Sequence, residues 1–203
     1  MTNTIGVGPH PQPWPVGEQY DAELLENGDR RNVVDKYRYW TVEAIKKDLD
    51  NTRSALVIAI ENWQHDFNIG TIVRTANAFN ANAVHIIGRR HWNKRGAMVT
   101  DLYMNMYYHD SVDSFTAAMQ QQDRLIVGID IIPGAKPLHA TILPKNVALV
   151  FGGEGPGLSD NMKAACSDII MIEQSGSTRS VNVGVAAGIV MYAWTKVHID
   201  QVR

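Results

Sequence analysis

From residue 55 onward the chain alternates two kinds of segment, and that alternation restricts the fold more than any other feature. Short apolar runs occur at 55–60 (ALVIAI), 83–87 (AVHII), 125–129, 147–151 and 169–172. Runs of this length, rich in β-branched residues, suit strands buried on both faces. Between them lie segments with helical spacing: Ile69, Ile72, Val73, Ala76 and Phe79 in the first, then 111–122, 159–165 and 181–197. Asn68 stands where a helix N-cap is expected. The repetition predicts an α/β domain over 54–203, with a mostly parallel sheet covered by helices on both faces.

Upstream the pattern differs. Val34, Tyr37, Trp40, Ala44, Ile45 and Leu49 approach helical spacing, which predicts a short helical N-terminal extension over 21–53. Pro9, Pro11, Pro13 and Pro15 alternate within residues 1–20, which lack an apolar stretch for secretion and read as a flexible tail. The best apolar stretch, 184–194, falls short of the roughly 18 residues a membrane span needs, so no membrane is expected. Cys166 has no partner for an intrachain disulfide, which fits a reducing cytoplasm. The seven histidines form no ligand pair at helical spacing, so no metal site is expected.

A net charge of −2 argues against a chain coated in positive charge. The cations are nevertheless clustered, at Arg30, Arg31, Lys36 and Arg38 and again at Arg89, Arg90, His91, Lys94 and Arg95. A local patch of this kind can bind phosphates although the total is negative. The second cluster follows a predicted strand and includes Trp92, so it can grip phosphates and stack on an unpaired base.

Three polar, glycine-bearing stretches sit where strands end and helices begin, the place where open parallel sheets bind ligands. The first is 68–75 (NIGTIVRT), in which Gly70 and Arg74 are four apart and the missing side chain of one clears the approach to the other. The second is 149–159 (LVFGGEGPGLS), a glycine turn with one acid, Glu154. Glycines let backbone amides approach a ligand, yet no Lys-Ser or Lys-Thr follows, so this is not a phosphate loop of the Walker type. The third is 172–187 (IEQSGSTRSVNVGVAA), a polar loop running into an apolar helix, with Ser180 and Asn182 at its start. Alone, each reads as readily as a cap or a tight turn.

Together, in this order, they resemble the three motifs of the SpoU/TrmH RNA methyltransferases, over residues 55 to about 197. The resemblance implies a C-terminal trefoil knot, an obligate homodimer whose site draws on both subunits, and S-adenosylmethionine as cofactor. It places catalytic and RNA-orienting roles on Asn68, Arg74, Glu154, Ser180 and Asn182. It implies a cofactor pocket made mainly by backbone, at Ile129, Gly152, Ile172 and Val181. Gly184 and Glu173 depart from the family pattern, which often has Ser and Pro there.

The activity so implied is methyl transfer to a ribose 2′-hydroxyl, on tRNA in preference to rRNA given the small size and short extension. Arg74 acts either as base or as a bidentate phosphate clamp, since a free guanidinium holds its proton. Arg89, Arg90, Lys94 and Arg95 are the RNA-binding candidates. The competing readings are a catalytically silent RNA-binding dimer and a nucleotide hydrolase, the latter lacking its lysine; a base nitrogen as acceptor also stays open.

Overall fold

The structure, a computed structural model, describes residues 6–64, 67–153 and 155–199. The chain divides between Thr52 and Arg53 into two compact units.

In the first unit, α1 (Ala22–Asn27) starts where the Asp21 side chain accepts from the backbone N–H groups of Glu23 and Leu24. Thr41 caps α2 (Val42–Asp50) in the same way through Ala44. A buried carboxylate organises the connection: Asp29 accepts from the Arg31 backbone and guanidinium and from the Tyr39 N–H. Burial alone would raise its pKa, but the hydrogen bonds and charge of Arg31 prevail and hold it at about 2. The described residues 6–20 differ from the tail suggested by the proline spacing. Val7 and Asp29 exchange backbone hydrogen bonds at 2.9 Å, and His10 N–H donates to Leu25. Alternating prolines leave the intervening N–H groups free to pair, as that of His10 does.

The second unit is a seven-stranded, wholly parallel sheet. Its strands are β1 (Val57–Asn62), β2 (Ala83–Gly88), β3 (Met106–His109), β4 (Leu125–Ile129), β5 (Lys136–Pro137), β6 (Val147–Phe151) and β7 (Asp168–Met171). Their spatial order is β3-β2-β1-β6-β4-β7-β5. The alternation of side chains along β1 splits the core between two faces. Leu56, Ile58 and Ile60 pack with α3 (Ile69–Ala78) and α6 (Val183–His198). Val57 and Ala59 pack on the other side with α4 (Val112–Gln121) and α5 (Asp160–Ala165). The expected helices on both faces are therefore present. Among the described residues, no helix is long and apolar enough to cross a membrane.

One polar pair lies inside the sheet layer. His85 on β2 is 2 % exposed and its Nδ1 lies 2.8 Å from Nε2 of His109 on β3. Burial, then the neighbouring His109 and Arg124, push its pKa down to about 3. The fold therefore accommodates the neutral ring, whereas the unfolded chain takes up a proton near 6.5. Stability is full above that pH and falls as pH drops from 6.5 toward 3, by about 1.4 kcal/mol per unit from this group. Thermal melts between pH 7 and 5 are expected to show this slope, and His85→Gln to flatten it. A melting midpoint independent of pH in the unmodified protein would refute the assignment.

Candidate active site

Strands β4, β6 and β7 end side by side, and a cavity of about 770 Å³ opens beyond their carboxyl ends. Its wall comes from 129–132 after β4, from Phe151 and the glycine turn after β6, and from Ile172, Gln174 and 179–183 after β7. Ile129, Gly152, Ile172 and Val181 all line it. So do Ser180 and Asn182. The volume lies within the range of small-molecule sites, about 300–1,000 Å³.

The glycine turn is built so tightly that its second half leans on its first. A Cβ at Gly152 would lie 2.1 Å from the carbonyl carbon of Gly157 and 2.4 Å from the N–H nitrogen of Leu158. Gly157 itself has φ +70, a backbone state that favours glycine. Two carboxylates from other strands fix the end of the turn. Asp130, just after β4, accepts from Leu158 N–H at 2.9 Å. Glu61, on β1 and 1 % exposed, accepts from Ser159 N–H at 2.8 Å and from Ser159 Oγ at 2.7 Å. Ser159 Oγ in turn accepts from Met162 N–H and caps α5. Hydrogen bonds to buried charge contribute about 1.5–3 kcal/mol each, which ties down the far end of the turn at Leu158 and Ser159. Nearby, burial and then Glu61 push the Cys166 thiol up to about 12, which leaves it unreactive as a nucleophile.

The first and third polar stretches meet beside this turn. Asn182 Nδ2 donates to Asn68 Oδ1 at 3.0 Å, across 114 positions of chain. The same Asn182 caps α6, its Oδ1 accepting from Gly184 and Val185 N–H. Asn68 precedes α3 as expected, but its side chain makes no capping hydrogen bond. It also lines a small recess with Glu61, Gly152, Gly153 and Val183. Gly184, the departure from the family pattern, allows a close approach of α6 to α3. A Cβ there would stand 3.1 Å from Thr71 Cγ2.

Two expectations need correction. Gly70 is buried, and a Cβ on it would lie 2.7 Å from Ala97 N and 2.9 Å from Gly96 Cα. Its missing side chain seats the 3-10 turn Lys94–Ala97 on α3 instead of opening a path to Arg74. Trp92 is 8 % exposed and belongs to the core, so it is no stacking platform for a base. The exposed ring beside this loop is Trp63, which lies over Gly88.

Arg74 is exposed on α3 and is not part of the cavity wall. Glu154 lies outside the described residues. Arg89, Arg90, Lys94 and Arg95 are all exposed; Arg90 lies 3.6 Å from Asp110, and Lys94 pairs more closely with Asp101, at 2.7 Å. The hydrogen bond and charge of Asp101 raise the Lys94 pKa. The arginine loop is held by Asn62, buried at the end of β1, whose Nδ2 donates to the carbonyls of Arg89 and His91. Asn62 and Glu61 escaped the sequence reading. Their signal is two polar residues completing an apolar strand at its ligand-facing end.

Comparison with known proteins bears on the same segment. The sequence model of the SpoU rRNA Methylase family matches residues 55–192. An uncharacterized tRNA/rRNA methyltransferase of Synechocystis is 29 % identical over 185 residues, 84 % of this chain and 46 % of that protein. The chain thus spans about half the length of that relative. The 23S rRNA (guanosine-2′-O-)-methyltransferase of Nitrosomonas europaea is 28 % identical over 84 % of this chain and 66 % of its own length. The SpoU methyltransferase AviRb from Streptomyces viridochromogenes, solved with AdoMet, superposes with a TM-score of 0.65. It is 20 % identical, over 74 % of this chain and 60 % of that one, so the likeness is one of fold. With the matched segment taking in β1 through most of α6, and all three polar stretches inside it, the chain belongs to the SpoU rRNA methylase family.

Proposed function

We propose that the chain is an S-adenosylmethionine-dependent methyltransferase acting on a ribose 2′-hydroxyl of RNA, on tRNA in preference to rRNA, as a homodimer. The observation that carries this reading is the Asn182–Asn68 hydrogen bond of 3.0 Å beside a cavity made at three strand ends. Family membership implies a trefoil knot in the C-terminal part, the region that supplies the glycine turn and Asn182.

The cavity fits the cofactor on its own terms. Ile129, Ile131, Ile132, Ile172 and Val181 offer apolar faces for a flat ring, and the close turn at Gly152 exposes backbone to a ligand. Lys163 and Arg179 on the wall suit a carboxylate. When bound, the cofactor supplies an electrophilic sulfonium methyl group. The protein has two tasks, to hold the ribose oxygen in line and to take its proton, and positioning alone supplies up to roughly 7–11 kcal/mol in the best cases. Ser180 and Asn182 on the cavity wall, with Asn68 held by Asn182, orient the ribose; the motif resemblance assigns Glu154 to the same task. Arg74 clamps an RNA phosphate through its planar fork.

Dimerisation is supported by α6. Val185, Ile189 and Tyr192 are 54 %, 40 % and 57 % exposed at helical spacing, an apolar stripe that a second copy would cover. Arg74 stands exposed on α3, which packs directly against α6. Calorimetry of the full chain with S-adenosylmethionine tests the cofactor assignment, and the absence of binding would favour a silent RNA-binding protein.

The arginine loop serves RNA binding in this reading. Replacing Arg89, Arg90 and Arg95 together by Gln is expected to weaken RNA binding roughly tenfold or more at low salt. The slope of log affinity against log salt should fall by about 2–3. Lys94, already paired with Asp101, contributes less. Binding unchanged across salt in the triple variant would refute this role.

A further inference from the structure

Trp63, the residue after β1, is 39 % exposed, yet its ring is held in place. Its indole Nε1 donates to Glu61 Oε1 at 2.8 Å, and Glu61 is the buried carboxylate that also anchors Ser159. At the end of β2, Gly88 has φ +103, and a Cβ there would lie 2.7 Å from Trp63 Cε3 and 2.9 Å from Cζ3. The benzo ring therefore rests against backbone that only glycine leaves open. A ring ordered in advance loses little freedom when a ligand arrives, which favours binding.

The neighbours of the ring are cationic. Arg89 follows Gly88, and its N–H donates to the Asn62 carbonyl at 2.9 Å while its guanidinium donates to the Gln64 carbonyl at 3.3 Å. Both ends of Arg89 are thus joined to the turn that carries Trp63, and Arg89 itself is exposed. Exposed aromatic rings beside guanidinium groups are the means by which proteins hold single-stranded nucleic acid, the ring on a base and the cations on phosphates. A base is matched by one ring, whereas a protein partner would need a far larger covered area. The ring also stands next to the chemistry, because Glu61 lines the recess shared by Asn68, Gly152 and Gly153.

We infer that Trp63 stacks on an unpaired base of the RNA, adjacent to the nucleotide whose ribose is methylated, and so positions that strand beside Asn68. This rests on the RNA reading of the arginine loop and adds to it a side chain that contacts a base instead of a phosphate.

Binding of a short oligouridylate and of its abasic counterpart with the same number of phosphates separates the ring from the charges. The unmodified chain is expected to bind oligouridylate about tenfold tighter than the abasic polymer. Trp63→Leu should lose about tenfold on oligouridylate and nothing on the abasic polymer. Its salt dependence should be unchanged, since no phosphate contact is removed. In methyl transfer to total RNA at saturating cofactor, the same variant should raise the KM for RNA about tenfold. Oligouridylate should also quench the tryptophan emission of the unmodified chain, and less so that of Trp63→Phe, a milder variant that serves if Trp63→Leu folds poorly. Equal affinities of the unmodified chain for the two polymers, a preference that survives in Trp63→Leu, or quenching undiminished in Trp63→Phe would overturn this inference and leave the arginine loop's role intact. An equal loss on both polymers in Trp63→Leu would overturn it as well, because the ring would then only shape the loop. Failure of the unmodified chain to bind either polymer would remove the RNA reading of the loop and this inference with it.

Discussion

A Gly152→Ala protein is expected to lose at least about a hundredfold in affinity for S-adenosylmethionine, roughly 2.7 kcal/mol, while keeping its secondary structure. The added methyl would stand 2.1 Å from the carbonyl carbon of Gly157 and 2.3 Å from its oxygen. Those atoms are backbone and cannot rotate aside. The turn as a whole must move, yet its far end is tied to Asp130 through Leu158 and to Glu61 through Ser159. Overpacking of this kind costs about 1–3 kcal/mol even where neighbours can yield. Circular dichroism and calorimetry on the same preparation separate a local fault from unfolding. A Gly152→Ala protein that binds the cofactor normally would show that the turn does not form the pocket.

Arg74→Lys is expected to give the opposite separation. Cofactor affinity should stay within about twofold, because Arg74 lies outside the cavity wall. Turnover should fall by roughly a hundredfold or more, because lysine keeps the charge and loses the planar fork that holds a phosphate in one orientation. Steady-state kinetics with saturating cofactor reads this directly. Normal turnover in Arg74→Lys would exclude both the clamp and the base.

The parts of the fold legible in the sequence are those where burial dictates residue type. Strand β1 is buried at every position from Val57 to Asn62, so its apolar run had no reading but a central strand. The helix α4 falls within the expected 111–122, with Ser111 as its cap. The edge strand β3 escaped notice because Tyr107 and Tyr108 are exposed and the run is mixed in polarity. Strand β5 has two residues, too few for any period. Residues 6–20 looked like a tail because their pairing with Asp29 and Leu25 is made by backbone, which sequence pattern does not record.

The site shows the same division. The three stretches could be found by their glycines and amides, but not how they are held together. Glu61 is joined to Ser159 across 98 positions and Asn182 to Asn68 across 114, contacts that only the completed sheet produces. Trp92 sits among cations in sequence and within the core in space, since a loop residue carries no periodicity that would tell its direction.

Incubating the full chain with methyl-labelled S-adenosylmethionine and total RNA, then mapping the modified nucleotide by mass spectrometry, addresses the proposed activity without any intermediary. The expected result is label on the ribose of one nucleotide, at the 2′-oxygen, in the tRNA fraction. Label on a base nitrogen, or RNA that stays unlabelled while the cofactor binds, would contradict it.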